Sequence, residues 1–134
     1  MKPPFVSPAM IATMVLAASP AAAHHSFSMF DMKKELVLNG VVTEFQWTNP
    51  HIWIEVDVPN GQGGVNHWSI EGAAVAALSR QGWKRATLKP GDKIKLAIHP
   101  LQNGNAGGSL IGVELADGRK FGSPVERPAA DAAR

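Results

Sequence analysis

The chain has 134 residues, with 13 Lys or Arg against 11 Asp or Glu, and a formal charge of only +2. That balance lacks the basic stripe of a nucleic-acid binder, so no nucleic-acid partner is expected. The absence of cysteine excludes disulfides, thiolate metal centres and a lipid-modified cysteine, and leaves the apolar core to hold the fold alone.

Residues 1–23 read as a cleavable secretory signal. Lys2 and the amino terminus give a charged start, Ala9 to Ala18 an uncharged apolar core of ten residues, and Pro20 a helix break. A membrane-spanning helix needs about 20 apolar residues, so this core is too short to persist as an anchor. Ala21, Ala22 and Ala23 supply the small residues a signal peptidase requires. The expected product begins at His24, is soluble in the periplasm or outside the cell, and has no membrane anchor. It keeps 111 residues, with 12 basic and 11 acidic side chains. That length suffices for one domain with a modest core.

Along the mature chain, His24 to Lys34 is a polar-aromatic lead-in whose Phe27, Met29 and Phe30 are expected to pack on the domain. Glu35 to Trp47 predicts one long strand, with Gly40 marking a bulge or sharp bend and Asn49-Pro50 closing it. His51 to Val58 alternates cleanly: Ile52, Ile54, Val56 and Val58 share one face, and His51, Trp53, Glu55 and Asp57 the other. After the Asn60–Gly64 turn, Val65 to Glu71 predicts the return strand, with Trp68 and Ile70 inward and His67, Ser69 and Glu71 outward. Ala73 to Gln81 predicts a short helix stopped by Gly82. A tight turn at Leu88–Asp92 feeds a strand over Lys93–Ile98. Gln102 to Gly108 is then a loop, and Ser109 to Leu115 a strand. Asp117-Gly118 turns into Arg119–Phe121. The Pro- and Ala-rich tail, 123–134, is expected to be disordered.

Three strands, a short helix and two strands with a closing hairpin predict a mostly β domain over 24–122. Its expected form is a small five-stranded OB-like Greek-key barrel, with the helix between strands 3 and 4. An open barrel or roll is the alternative. Closure would remove the edge strands that a small domain must otherwise protect.

The chain also resembles a family of small exported bacterial proteins carrying a domain of unknown function. The resemblance rests on Ala23-His24-His25-Ser26-Phe27, Gly40-Val41-Val42, Trp47-Thr48-Asn49-Pro50-His51 and Gly82-Trp83. It extends through Leu88-Lys89-Pro90-Gly91-Asp92 and Val113 to Arg119. It implies an exported β domain and carries no activity with it.

Two residue sets carry candidate chemistry. The outward hairpin face holds Trp53, Glu55, Asp57, His67 and Glu71 as a ligand-binding set. Depending on where the turn is centred, His67 lies opposite Asp57 or Glu55. Trp53 would serve there as a stacking platform. The second set is the candidate metal ligands His24, His25 and His51. A cut after Ala23 would gather a free amine and two imidazoles, a donor set that favours Cu(II). No catalytic motif appears. Ser109 lacks nucleophile-elbow spacing, Gly104 to Gly112 lacks the Lys of a phosphate loop, and His67 and Glu71 lie on a strand. The expectation is an exported, non-enzymatic binding or accessory module for a small ligand or protein partner, with copper as candidate cofactor. The alternative is a small copper redox enzyme whose N-terminal histidine brace pairs His24 with His51, His67 or His99.

Overall fold

A computed structural model describes residues 27–123. The expected signal segment, His24, His25 and the tail from residue 124 lie outside the described residues. After a 3-10 turn at Phe27–Met29 come β1 (Leu36–Gln46), β2 (Trp53–Pro59) and β3 (Val65–Glu71). Then follow α1 (Val75–Arg80), β4 (Lys93–Pro100), β5 (Gly107–Leu115) and β6 (Lys120–Gly122).

Strands β3, β2, β1, β4 and β5 pair antiparallel in that order, and β5 then meets β3 in parallel, which shuts the ring. The fold is therefore a closed, mixed five-stranded OB-like barrel with α1 between β3 and β4. An open roll is ruled out. β6 adds only a short hairpin outside the ring, on β5.

Alternating apolar residues fill the interior. Ile52, Ile54, Val56, Ile70, Leu96, Ile98 and Val113 are all fully buried. Each such side chain contributes about 1.5–3 kcal/mol by leaving water. The small barrel is held by this one cluster.

The long first strand bends, but the bulge is not at Gly40. Val42 pairs with Val56 and Glu44 with Glu55, so Thr43 is the extra residue that the pleat cannot accommodate. Gly40 stays in regular register opposite Ile94 and serves a different need. A Cβ there would run into the Val56 side chain and come within 2.7 Å of the Asp57 carbonyl oxygen. Close approach of β2, rather than a bulge, requires glycine.

The helix is only six residues long and buries Leu78. Its C-cap is Gln81, and Gly82 follows at φ +89, the left-handed position that stops a helix. The chain then turns Trp83 into the core, 2 % exposed. Its ring centroid lies 6.2 Å from that of Phe45 and 5.1 Å from that of Phe121. Its Nε1 donor is buried with no acceptor, a state that costs about 1–3 kcal/mol.

The lead-in packs only in part. Phe30 is buried and bridges to Leu101, and the Asp31 amide donates to the Pro100 carbonyl at 2.8 Å. Met29 stays 44 % exposed, contrary to expectation, because Phe30 is the residue turned towards Leu101.

Candidate outer-face site on β2 and β3

Because Ile54, Val56 and Ile70 point inward, their neighbours on β2 and β3 point out. The register pairs Trp53 with Glu71, Glu55 with Ser69 and Asp57 with His67. Of the two turn centres considered, the one that sets His67 opposite Asp57 is observed. The ring nevertheless reaches both acids. His67 Nδ1 lies 2.9 Å from Asp57 Oδ1, and Nε2 lies 3.0 Å from Glu55 Oε2. Ser69 Oγ donates to the other oxygen of Glu55 at 2.8 Å.

An imidazole can donate from both nitrogens only when it is protonated. The Asp57 hydrogen bond accordingly raises the His67 pKa above its ordinary 6.5, against desolvation, and Glu55 adds to the rise. The stabilisation from these contacts is therefore complete below pH 6.5 and is lost as pH climbs through the higher folded-state value. An NMR titration should give His67 a midpoint above 6.5 in the native protein, lowered in Asp57→Asn. An unchanged midpoint in Asp57→Asn would mean that the contact is not formed in solution.

Glu71 departs from the solvated position expected of an outward residue: it is only 6 % exposed. The cause is barrel closure. At this end of β3 the parallel partner β5 lies alongside, with Ser109 opposite Glu71. A buried carboxylate needs a partner, and His51 supplies one through Nδ1. Half-buried Trp53 stands next to this pair, between Glu71 on β3 and Gln46 on β1.

The same outward row runs further than the hairpin. Glu71 pairs with Ser109, and Ser109 pairs with His99 on β4. His99 donates from Nδ1 to the Lys34 carbonyl at 2.8 Å, which fixes its ring against the lead-in. The lead-in borders the face as well. Phe30 bridges to Leu101, whose side chain lies so close to Gly107 that a Cβ there would meet it at 2.8 Å. Gly107 is itself paired with Ser69. The described chain therefore starts beside the outer face.

Among the described residues no group of three or more His, Asp or Glu is arranged to hold a metal ion. Of the candidate metal ligands, His51 is bound to Glu71, while His24 and His25 lie outside the described residues. The outer-face set divides into two groups: His51, Trp53 and Glu71 near the β5 seam, and Glu55, Asp57, His67 and Ser69 nearer the turn.

The chain belongs to a family of unknown function (DUF6152). The family profile matches residues 12–110. The matched stretch takes in both N-terminal histidines and every outer-face residue named above, and it ends in β5 before the β6 hairpin. No curated protein and no solved structure matches the chain. Among the described residues no helix is long and apolar enough to cross a membrane.

Sequence reasoning missed Ser109 and the tether of His99 as parts of this face. The tether ends on a backbone oxygen, which leaves no trace in side-chain identity. The parallel β3–β5 seam that adds Ser109 joins strands with a helix and a strand between them.

Proposed function

We propose that this protein is an exported, non-enzymatic binding module that works through the outer face of β2 and β3 together with His24 and His25, and that Cu(II) is among its ligands. The observation that carries the reading is the buried Glu71–His51 pair beside half-buried Trp53. A carboxylate withdrawn from water to hold an imidazole by Nδ1 is the usual outer-shell support of a metal-binding histidine. The N-terminal histidines complete the set. Three residue steps separate His24 from Phe27, a reach of at most about 10 Å at ~3.3–3.6 Å per residue. The apolar core of residues 9–18 and the small residues before His24 support export.

A second reading, a copper redox enzyme with an N-terminal histidine brace, draws on one specific observation. His99, like His51, has its Nδ1 held by an acceptor, here the Lys34 carbonyl. His67 suits a brace poorly, because both its nitrogens face carboxylates. A brace would therefore pair His24 with His51 or His99.

Calorimetric copper titration of protein beginning at His24, with electron paramagnetic resonance of the product, tests the proposal. One Cu(II) should bind through nitrogen ligands. Affinity should fall as pH drops through about 6.5, where imidazoles protonate. His24→Ala should abolish tight binding, and a retained Met before His24 should weaken it by displacing the amine. Equal copper affinity in His24→Ala and the native protein would refute the proposal. Loss of binding in His99→Ala as well would favour the brace.

A further inference from the structure

At the opposite end of β2 from Trp53, a groove of about 450 Å³ crosses the outside of the barrel. It runs from Pro59 on β2 over β1 and β4 to Ala116, just past β5. Its volume falls within the usual range for small-molecule sites. Side chains alternate along a strand, and Ile94, Leu96 and Leu115 are buried. Lys93, Lys95, Glu114 and Ala116 therefore stand on the outer face. The register sets Val41 opposite Lys93 and Asn39 opposite Lys95, on that same face.

The groove changes character from strand to strand. On β4, Lys93 and Lys95 project side by side, and neither ammonium has an ion pair or hydrogen bond among the described residues. The carboxylate that lines the groove, Glu114, sits opposite Lys95 but is turned to Lys120, 3.7 Å away. The charges of Lys93 and Lys95 are thus left uncompensated. Over β1 and β2 the wall is apolar instead. Val41 and Pro59 are exposed there, and Pro59 pairs with exposed Val65 on β3. Uncompensated cations attract an anion, and an exposed apolar row is covered best by hydrocarbon. A ligand with a terminal negative charge on an apolar chain meets both needs.

We infer that this groove binds a medium-chain fatty carboxylate, its head held by Lys93 and Lys95 on β4 and its chain laid across Val41 towards Pro59 and Val65. The reverse orientation would set the head near Asp57, which lies opposite Val41 and already serves His67. From β4 to β3 is three strand spacings, about 14 Å at ~4.8 Å each, a span that suits an extended chain better than a compact ring. The inference is independent of copper binding and of the histidines at the other end of the strands.

The test uses the full chain, tail included, labelled with ¹⁵N, and octanoate below its micelle concentration as the probe. The backbone NMR signals of Asn39, Val41, Lys93 and Lys95 should move saturably. 1-Octanol, of equal chain length but uncharged, should move them far less. Replacing both lysines, Lys93→Gln with Lys95→Gln, changes outward side chains and leaves the core intact. It should weaken octanoate about tenfold through loss of two charge-assisted contacts in a water-exposed groove. Val41→Ser should weaken octanoate as well, because it removes hydrocarbon contact and keeps both charges. The inference is overturned if these signals do not respond. It is equally overturned if octanol matches octanoate and the lysine replacements have no effect. Acetate binding as tightly as octanoate would also contradict it, by showing that the ammonium groups attract any anion. So would octanoate shifts confined to the backbone around His51 and Trp53.

Discussion

Ile54→Ala should destabilise the protein by about 2–5 kcal/mol, as a buried aliphatic truncated in a site that cannot collapse around the void. Ile54 is completely buried near the start of β2, where its strand is pinned by β1 on one side and β3 on the other. The lining atoms therefore cannot close in. Glu55→Ala, one residue along, loses the contacts to His67 and Ser69 but leaves no hole in the core. Its cost should be about 1 kcal/mol, the net worth of a typical hydrogen bond. Urea denaturation of the two variants gives the comparison. Equal losses would mean that the inside and outside of β2 are assigned wrongly.

Gly40→Val should also be strongly damaging, for the opposite reason. The new side chain has to occupy space already filled by Val56 and by the backbone at Asp57. A side chain can swing aside, but the Asp57 carbonyl belongs to β2 beside its pairing with His67 and cannot retreat without breaking the ladder. Overpacking of a rigid core costs about 1–3 kcal/mol, and a clash with backbone lies at the upper end or beyond. Val41→Ala serves as the control, since Val41 is 37 % exposed and its truncation should change stability by less than about 0.5 kcal/mol. A Gly40→Val protein with an unshifted denaturation midpoint would contradict the close approach of β1 and β2.

These two residues also show what the sequence could and could not disclose. The run from Ile52 to Val58 reveals its inward face unaided, because side chains alternate with a period of two and one face is entirely apolar. Gly40 announces that something unusual happens in β1, but glycine marks bulges and close approaches alike. The bulge itself falls on Thr43, a residue type with no bulge signature. Glu71 is the instructive miss. Its place on the outward face was legible, yet its burial depends on β5 lying parallel to β3, a contact that neither strand's own sequence specifies. The His51–Glu71 pair was hidden for the same reason. By contrast, the meeting of His67 with both Asp57 and Glu55 follows from hairpin pairing alone. Only the choice between two registers waited on the turn.

Trp83 lies between these cases. Its place after the helix-stopping Gly82 was readable, and its size favours burial. That its ring would meet Phe121 depends on where the β6 hairpin folds back.

The central claim, that the outer face of β2 and β3 and the N-terminal histidines form one contact surface, is tested most directly by paramagnetic broadening. Substoichiometric Cu(II) added to ¹⁵N-labelled protein beginning at His24 relaxes nuclei close to the bound ion. The account predicts loss of signal at His24, His25 and the backbone around His51, Trp53 and Glu71, with Lys93 and Glu114, at the other end of the strands from Trp53, unaffected. Broadening confined to the first residues, with the β2 and β3 signals intact, would contradict it.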